Sequence, residues 1–358
     1  MERTAYGQLV AWKERPQRKP LIIQGARQVG KTWLMREFGS CEFVSVAYFN
    51  AERTPELHAI FNKGLQPDRI LEALGLLCGF NILPGETLVI IDEIQACPAA
   101  ITSLKYFSEE MPDMAILSAG SLLGVAIHQG ISFPVGKVEF LTLHPLGFHE
   151  FLSAMGRQDL LSMMQRGDCE MISIFHDQFI DLLKKYMLVG GMPEAVTAYI
   201  TSGRPEAAAK VQQDILRAYE QDFSKHAPIA QWPRIRMVWQ SILAQLAKEN
   251  SKFMYSLLRT GARAKEFELA IEWLKDAGLI HKVTRVKKSG VPLDAYADWS
   301  DFKIYLNDIG LLACMAGLSP VILLQNDRLF TEFKGVLTEQ FVLQQLVCQD
   351  ERLFYWNP

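Results

Sequence analysis

Short apolar runs bounded by polar or turn residues punctuate the first 150 residues. They occupy residues 21–24, 44–49, 87–91, 114–119 and 138–143. Their length and their flanks predict buried strands. Stretches of helical spacing lie between them, at residues 31–38, 67–77 and 99–110. Alternation of this kind predicts an α/β fold, a parallel sheet covered by helices on both faces.

The strand pattern stops near residue 149. Residues 151–155, 169–188 and 205–223 have helical periodicity, interrupted by Gly190-Gly191-Met192-Pro193, a combination that ends helices. From residue 233 the pattern changes again. Helices are expected at 235–248, 252–258 and 264–277, followed by a run of alternating character at 279–286, a Ser289-Gly290 turn and a strand at 302–306. Three helices and a two-stranded ribbon outline a winged helix-turn-helix. The last segment predicts a helix at 338–346 and a strand at 353–356. The expected domains are therefore a core at 1–150, a helical lid or linker at 151–232, a winged helix at 233–325 and the start of a further domain at 326–358.

Composition adds exclusions. Of 358 residues, 49% are hydrophobic and 22% charged, which excludes a disordered or low-complexity chain. No apolar run approaches the ~20 residues that cross a bilayer. The first twenty residues lack the apolar centre of a signal peptide, so a cytoplasmic protein is expected. The six cysteines are scattered, without a CxxC pair, which points to reduced thiols rather than a zinc site. The net charge of −3 hides an asymmetry: residues 234–288 hold twelve Lys/Arg against five Asp/Glu. A basic module on an acidic body points weakly to a polyanionic partner.

The chemistry is concentrated at Gly25-Ala26-Arg27-Gln28-Val29-Gly30-Lys31-Thr32, which fits G-x-x-x-x-G-K-[ST] without a substitution. In that pattern the glycines let successive N–H groups face one phosphate, the following helix adds its positive end, the lysine neutralises outer phosphates and the threonine hydroxyl can ligate Mg²⁺. The nucleotide-binding set extends to Trp33, the next helical residue. The strand of residues 88–91 ends in Asp92 and Glu93. Carboxylates there meet the ligand edge of an open α/β sheet. Asp92 would hold the Mg²⁺ shell and Glu93 would activate the attacking water. In ATPases with this extra acid the next strand inserts beside the P-loop strand, so a serine at its tip can sense the γ-phosphate. Ser121 is the choice and Ser118 the reserve.

In this order the GARQVGKT loop, IIDEIQ, LSAGS, HPLGFHEFL and YMLVGGMPEAV resemble the bacterial and archaeal AAA-type ATPases in which the core is followed by a winged helix and an endonuclease-like domain. The resemblance spans essentially the whole sequence. It implies ATP and Mg²⁺ as ligands and Gly191-Met192-Pro193 as a G-x-P element whose proline packs against adenine; from the sequence alone, the same residues are a helix end and a helix start. It also implies a neighbouring subunit, hence a homo-oligomer. Members often carry Gly-Arg before the Pro-Leu-x-Phe segment, where this chain has Gly136-Lys137; a lysine lacks arginine's bidentate fork. No nuclease site is assigned, since residues 326–358 hold only the start of that domain, with Glu332 and Glu339 as isolated acids.

The helix of residues 264–277 would be the recognition helix of the winged module. Its apolar stripe is Phe267, Ala270, Ile271 and Leu274, and Glu266, Glu268, Glu272 and Asp276 would repel phosphates. Arg259, Arg263, Lys265, Lys282, Arg285, Lys287 and Lys288 surround it. Nucleic-acid contact through these, or a docking role, both remain open. The expected function is Mg²⁺-dependent ATP hydrolysis driving a conformational switch. The alternatives are a nucleotide-dependent binding switch with negligible hydrolysis and a small-molecule phosphotransferase.

Overall fold

The computed structural model describes residues 1–121, 124, 133–248, 252–318, 328–349 and 351–356, without the side chains of 328–332 and so without that of Glu332. The chain forms two compact units, Glu2–Leu143 and His144–Pro358.

The first unit is built on a five-stranded sheet: β1 (Leu21–Gln24), β2 (Ser45–Asn50), β3 (Thr87–Asp92), β4 (Ala115–Gly120) and β5 (Glu139–Thr142), in the order β2-β3-β4-β1-β5. Every pairing is parallel. Each strand falls within a residue of the run that predicts it. β3 and β4 are buried along their whole length, which explains their continuous apolar character. The acid-bearing β3 is separated from β1 by the inserted β4. With Gln24 opposite Gly120 and Ile91 opposite Ser118, the carboxyl ends of β1, β3 and β4 share one edge. Helices Lys31–Glu42, Pro55–Lys63, Pro67–Cys78 and Pro98–Glu110 connect the strands. Helix Thr4–Lys13 is a further element that the periodicity does not mark. Its Trp12 packs on Phe38 and donates from Nε1 to the Lys19 carbonyl at 2.8 Å.

The second unit opens with helices. The single helix expected at 169–188 is two, Cys169–Ile174 and His176–Val189. Residues 252–258 are not a helix either; only the single 3₁₀ turn Tyr255–Leu257 forms. Gln245, fully buried at the end of helix Trp232–Leu246, accepts from Met254 N at 2.8 Å and donates to Met254 O at 3.0 Å. Phe253 stacks on Phe302, and its N–H donates to the Phe302 carbonyl at 2.9 Å. These bonds satisfy the backbone in an extended path and remove the need for a helix.

Helix Ala264–Asp276 follows, then β6 (Ile280–Val286) and β7 (Ala297–Leu306), paired antiparallel. The ribbon is part of a three-stranded sheet, not two-stranded as expected, because β8 (Phe354–Tyr355) adds parallel to β6. Among the described residues no helix is long and apolar enough to cross a membrane.

Candidate nucleotide site

The loop between β1 and helix Lys31–Glu42 bends through left-handed backbone at Gly25 (φ 142°), Gln28 (φ 66°) and Gly30 (φ 96°). At Gly25 the need for glycine is steric as well, since a Cβ there would lie 2.2 Å from the Leu143 carbonyl oxygen. Leu143 in turn donates its N–H to Gln24 O at 2.8 Å, so β5 closes the loop from one side. From the other, Arg3 donates to the Val29 carbonyl at 2.9 Å.

Lys31 starts the helix and folds back across the loop. Its Nζ donates to the carbonyls of Gly25 and Ala26 at 2.8 and 2.7 Å. Burial pushes its ammonium down to about 8; Glu93 and Asp92 oppose that shift, and nearby Arg27 adds to it. The next residue, Thr32, donates from Oγ1 to Asp92 Oδ2 at 2.7 Å. Tyr48 on β2 donates its hydroxyl to the same oxygen at 2.9 Å, and the Glu93 N–H donates to Oδ1 at 3.0 Å. Burial, with the Asp92 charge next, raises the Tyr48 hydroxyl above its usual value. Glu93 stands in left-handed backbone at φ 51°, a sparsely populated state for a non-glycine residue. Its Oε2 accepts from Gln95 Nε2 at 2.7 Å and from Ser121 Oγ at 3.2 Å. Ser121 accepts in turn from Arg27 Nε at 3.2 Å.

A single hydrogen-bonded chain therefore runs from the loop's Arg27 through Ser121 to Glu93, beside a second from Thr32 to Asp92. Within this unit the structure brings together Gly25, Ala26, Arg27, Gln28, Val29, Gly30, Lys31, Thr32, Asp92, Glu93 and Ser121. Trp33 follows Thr32 and is 45% exposed. Ser118, by contrast, is sealed in the sheet with its hydroxyl unpartnered. Lys137 is held in an ion pair with Glu109 at 2.8 Å. Tyr48, Gln95, Arg3 and Leu143 are the contributors that motif reading passes over. Only Gln95 carries a sequence signal, as the last residue of IIDEIQ.

The residues present suit a magnesium–phosphate ligand. Thr32 Oγ1 and Asp92 Oδ2 are hard oxygen donors, 2.7 Å apart at the start of the loop's helix. Among the described residues no group of three or more His, Cys, Asp or Glu could hold a metal. One hydroxyl and one carboxylate oxygen suit an ion which keeps most of its waters and is held by one or two protein oxygens together with phosphates.

Pro193 lies in the second unit, in the first turn of helix Pro193–Ser202. The Gly190-Gly191 pair before it is fixed by packing. A Cβ on Gly190 would lie 2.2 Å from Asp308 Oδ1, and one on Gly191 2.1 Å from the Leu146 carbonyl oxygen. Gly191 N–H donates to Asp308 Oδ2 at 2.6 Å, and Leu146 N–H to the Gly191 carbonyl at 2.7 Å. Tyr186 OH donates to Leu146 O at 2.5 Å and accepts from Gln344 Nε2 at 3.0 Å. The HPLGF and GGMP segments are thus joined to each other through buried polar groups.

In the basic stretch two acids of helix Ala264–Asp276 meet the cations around them. Glu266 pairs with Arg259, and Glu272 with Lys275 at 2.9 Å and Lys282 at 2.8 Å. Arg285 pairs with the buried Asp301 at 3.3 Å. At the ribbon's outer end Lys287 and Lys288 are exposed, as is Trp299 at 63%.

Two stretches match described families, and the first contains this site. Residues 17–152 match the AAA domain. Residues 180–321 match a domain of unknown function (DUF8612). No curated protein sequence matches the chain. Among solved structures, a Walker-type ATPase of Pyrococcus abyssi is similar at TM-score 0.54 and 16% identity, over 88% of this chain and 95% of that one. The Orc1 protein of Aeropyrum pernix, in complex with DNA, aligns at TM-score 0.34 and 13% identity, over 89% and 93%. Cdc6p from Pyrobaculum aerophilum aligns at 0.28 and 12%, over 93% and 92%. The first likeness shows the fold. The stretch that matches the AAA domain thus combines the G-x-x-x-x-G-K-T loop with a parallel α/β sheet in which β4 stands between the acid strand and the loop strand.

Proposed function

We propose that the AAA domain binds ATP with Mg²⁺ and hydrolyses it. The observation that carries this reading is the convergence of Lys31, Thr32, Asp92, Glu93 and Ser121 on one edge of the sheet, through Thr32–Asp92 at 2.7 Å and Ser121–Glu93 at 3.2 Å. The loop amides and the helix start receive the phosphates. Lys31 exchanges the Gly25 and Ala26 carbonyls for phosphate oxygens. Thr32 and Asp92 would hold the cation, which when bound supplies charge neutralisation to the phosphates. Glu93 orients the attacking water and takes its proton, and Ser121 and Gln95 hold that carboxylate in place.

Steady-state phosphate release and nucleotide titration test this. Lys31→Ala should weaken nucleotide binding. Glu93→Gln should keep binding and slow turnover by ~10²-fold or more. Unchanged turnover in Glu93→Gln would remove that residue from its role. Binding without measurable release in the native protein would favour the nucleotide-dependent switch.

For the second unit we propose a winged-helix module that contacts nucleic acid through the outer end of its ribbon. Exposed Lys287, Lys288 and Trp299 support that face, whereas the paired acids of helix Ala264–Asp276 do not support base reading by the helix. Binding to duplex DNA that weakens steeply with salt, and that Lys287→Ala/Lys288→Ala reduces, is the expected result. Hydrolysis by the AAA domain would drive this contact, within a homo-oligomer that completes the nucleotide site.

A further inference from the structure

Asp92 Oδ2 accepts two hydroxyl donors, and the second has no place in the motifs that define the site. Tyr48 stands on β2, next to β3, with its backbone paired opposite Ile90. Its hydroxyl reaches the Asp92 carboxylate at 2.9 Å. The ring is itself held, because the Arg36 guanidinium lies 3.9 Å from its centroid, a cation–π distance. Arg36 follows Thr32 by one helical turn, so it and the hydroxyl on the other side of Asp92 Oδ2 come from the same helix.

We propose that Tyr48 is a positioning residue for the divalent-cation site, holding the Asp92 carboxylate in the orientation that meets the cation. The inference rests on the ATP reading above. The physical argument is one of degrees of freedom. A carboxylate at a strand end can rotate about its side-chain bonds. When Thr32 turns a hydroxyl lone pair toward a cation, its O–H can still reach Asp92, but the direction of that bond is then set by the cation and no longer by Asp92 alone. The Glu93 N–H on Oδ1 and the Tyr48 hydroxyl on Oδ2 then remain to fix the plane of the carboxylate. Partners of this kind, one step removed from the metal, typically change metal affinity by about 10–100-fold when removed.

The test is a titration of a fluorescent ADP analogue, first in EDTA and then against increasing Mg²⁺, on the full chain and on Tyr48→Phe, with thermal melting as the control for folding. Tyr48→Phe should bind the analogue in EDTA within about twofold of the native protein, and should need about tenfold more Mg²⁺ for half of the Mg²⁺-dependent gain in affinity. Arg36→Leu, which keeps the hydroxyl but frees the ring, should move the Mg²⁺ midpoint in the same direction by about two- to threefold, a lesser loss because the hydroxyl itself remains. A folded Tyr48→Phe with an unshifted Mg²⁺ midpoint overturns the inference while leaving the ATP reading intact. Should Tyr48→Phe fail to fold, an unshifted Arg36→Leu overturns it instead. A native protein that binds no analogue in either condition overturns the ATP reading itself, and this inference with it.

Discussion

Two serines at the tip of β4 present the same chemistry in sequence and opposite surroundings in space. Ser121 donates to Glu93 and accepts from Arg27, while the Ser118 hydroxyl is buried without a partner. Removing a hydroxyl that is bonded to a charged group costs about 1.5–3 kcal/mol, whereas removing one that is buried and unpaired costs nothing or stabilises. Ser121→Ala should therefore slow ATP turnover by about tenfold or more, with nucleotide affinity unchanged, since Glu93 retains only Gln95. Ser118→Ala should leave turnover and melting temperature at or above native values. Equal losses in the two variants would return Ser118 to the site. The choice between them was legible in outline, because a residue past the strand's end faces the ligand edge. Tyr48 was not legible. It meets Asp92 through the pairing of β2 with β3, and no spacing within either strand encodes that register.

The helical elements show the same division between local and distant causes. The loop's helix starts where Gly30-Lys31 puts it, and Pro at the first helical turn marks helices such as Pro55–Lys63, Pro67–Cys78 and Pro193–Ser202. Such signals act within a few residues and can be read directly. The fate of residues 252–258 is set instead by Gln245 and Phe302, and their helical periodicity yields to those contacts. Gly190-Gly191 illustrates a third case. The sequence marks a helix end there, but what demands glycine is distant: Asp308, more than a hundred residues later, at Gly190, and the Leu146 backbone at Gly191. Asp308 caps helix Ile309–Met315 through Leu311 N at 3.0 Å while accepting from Gly191 N at 2.6 Å and Gln344 Nε2 at 3.1 Å. Burial raises its carboxyl above the usual range, with these donors opposing the shift. Asp308→Ala would strand the three donors in a buried site. Each unsatisfied donor costs about 1–3 kcal/mol, so the second unit should lose about 3 kcal/mol or more of stability. Urea unfolding followed by the emission of Trp239 and Trp273 would measure this, and a loss below about 1 kcal/mol would show that water or a neighbour replaces the carboxylate.

At the scale of the whole molecule, two units with separate cores should answer to different solution variables. If nucleotide binds the folded first unit as proposed, saturation at about a hundred times Kd should stabilise Glu2–Leu143 by about 2.7 kcal/mol. Acid should act on the other unit through His281. There burial, reinforced by His144 whose ring lies 6.2 Å away, holds the imidazole down to about 3. An unfolded histidine titrates near 6.5. Above that pH both states are neutral and the contribution to stability is complete. As pH falls below about 6.5 the unfolded chain takes up a proton that the folded unit refuses, and stability falls by up to about 1.4 kcal/mol per pH unit until the folded value is reached. Lowering pH from 7 to 5.5 should therefore cost the His144–Pro358 unit about 1 kcal/mol, read as a lower urea midpoint of the Trp239 and Trp273 signal. His281→Asn cannot titrate and should remove that part of the pH dependence while leaving nucleotide stabilisation of the AAA domain untouched. An undiminished acid shift in His281→Asn would move the proton uptake to another group. A nucleotide effect of equal size on both transitions would mean that the two cores unfold as one.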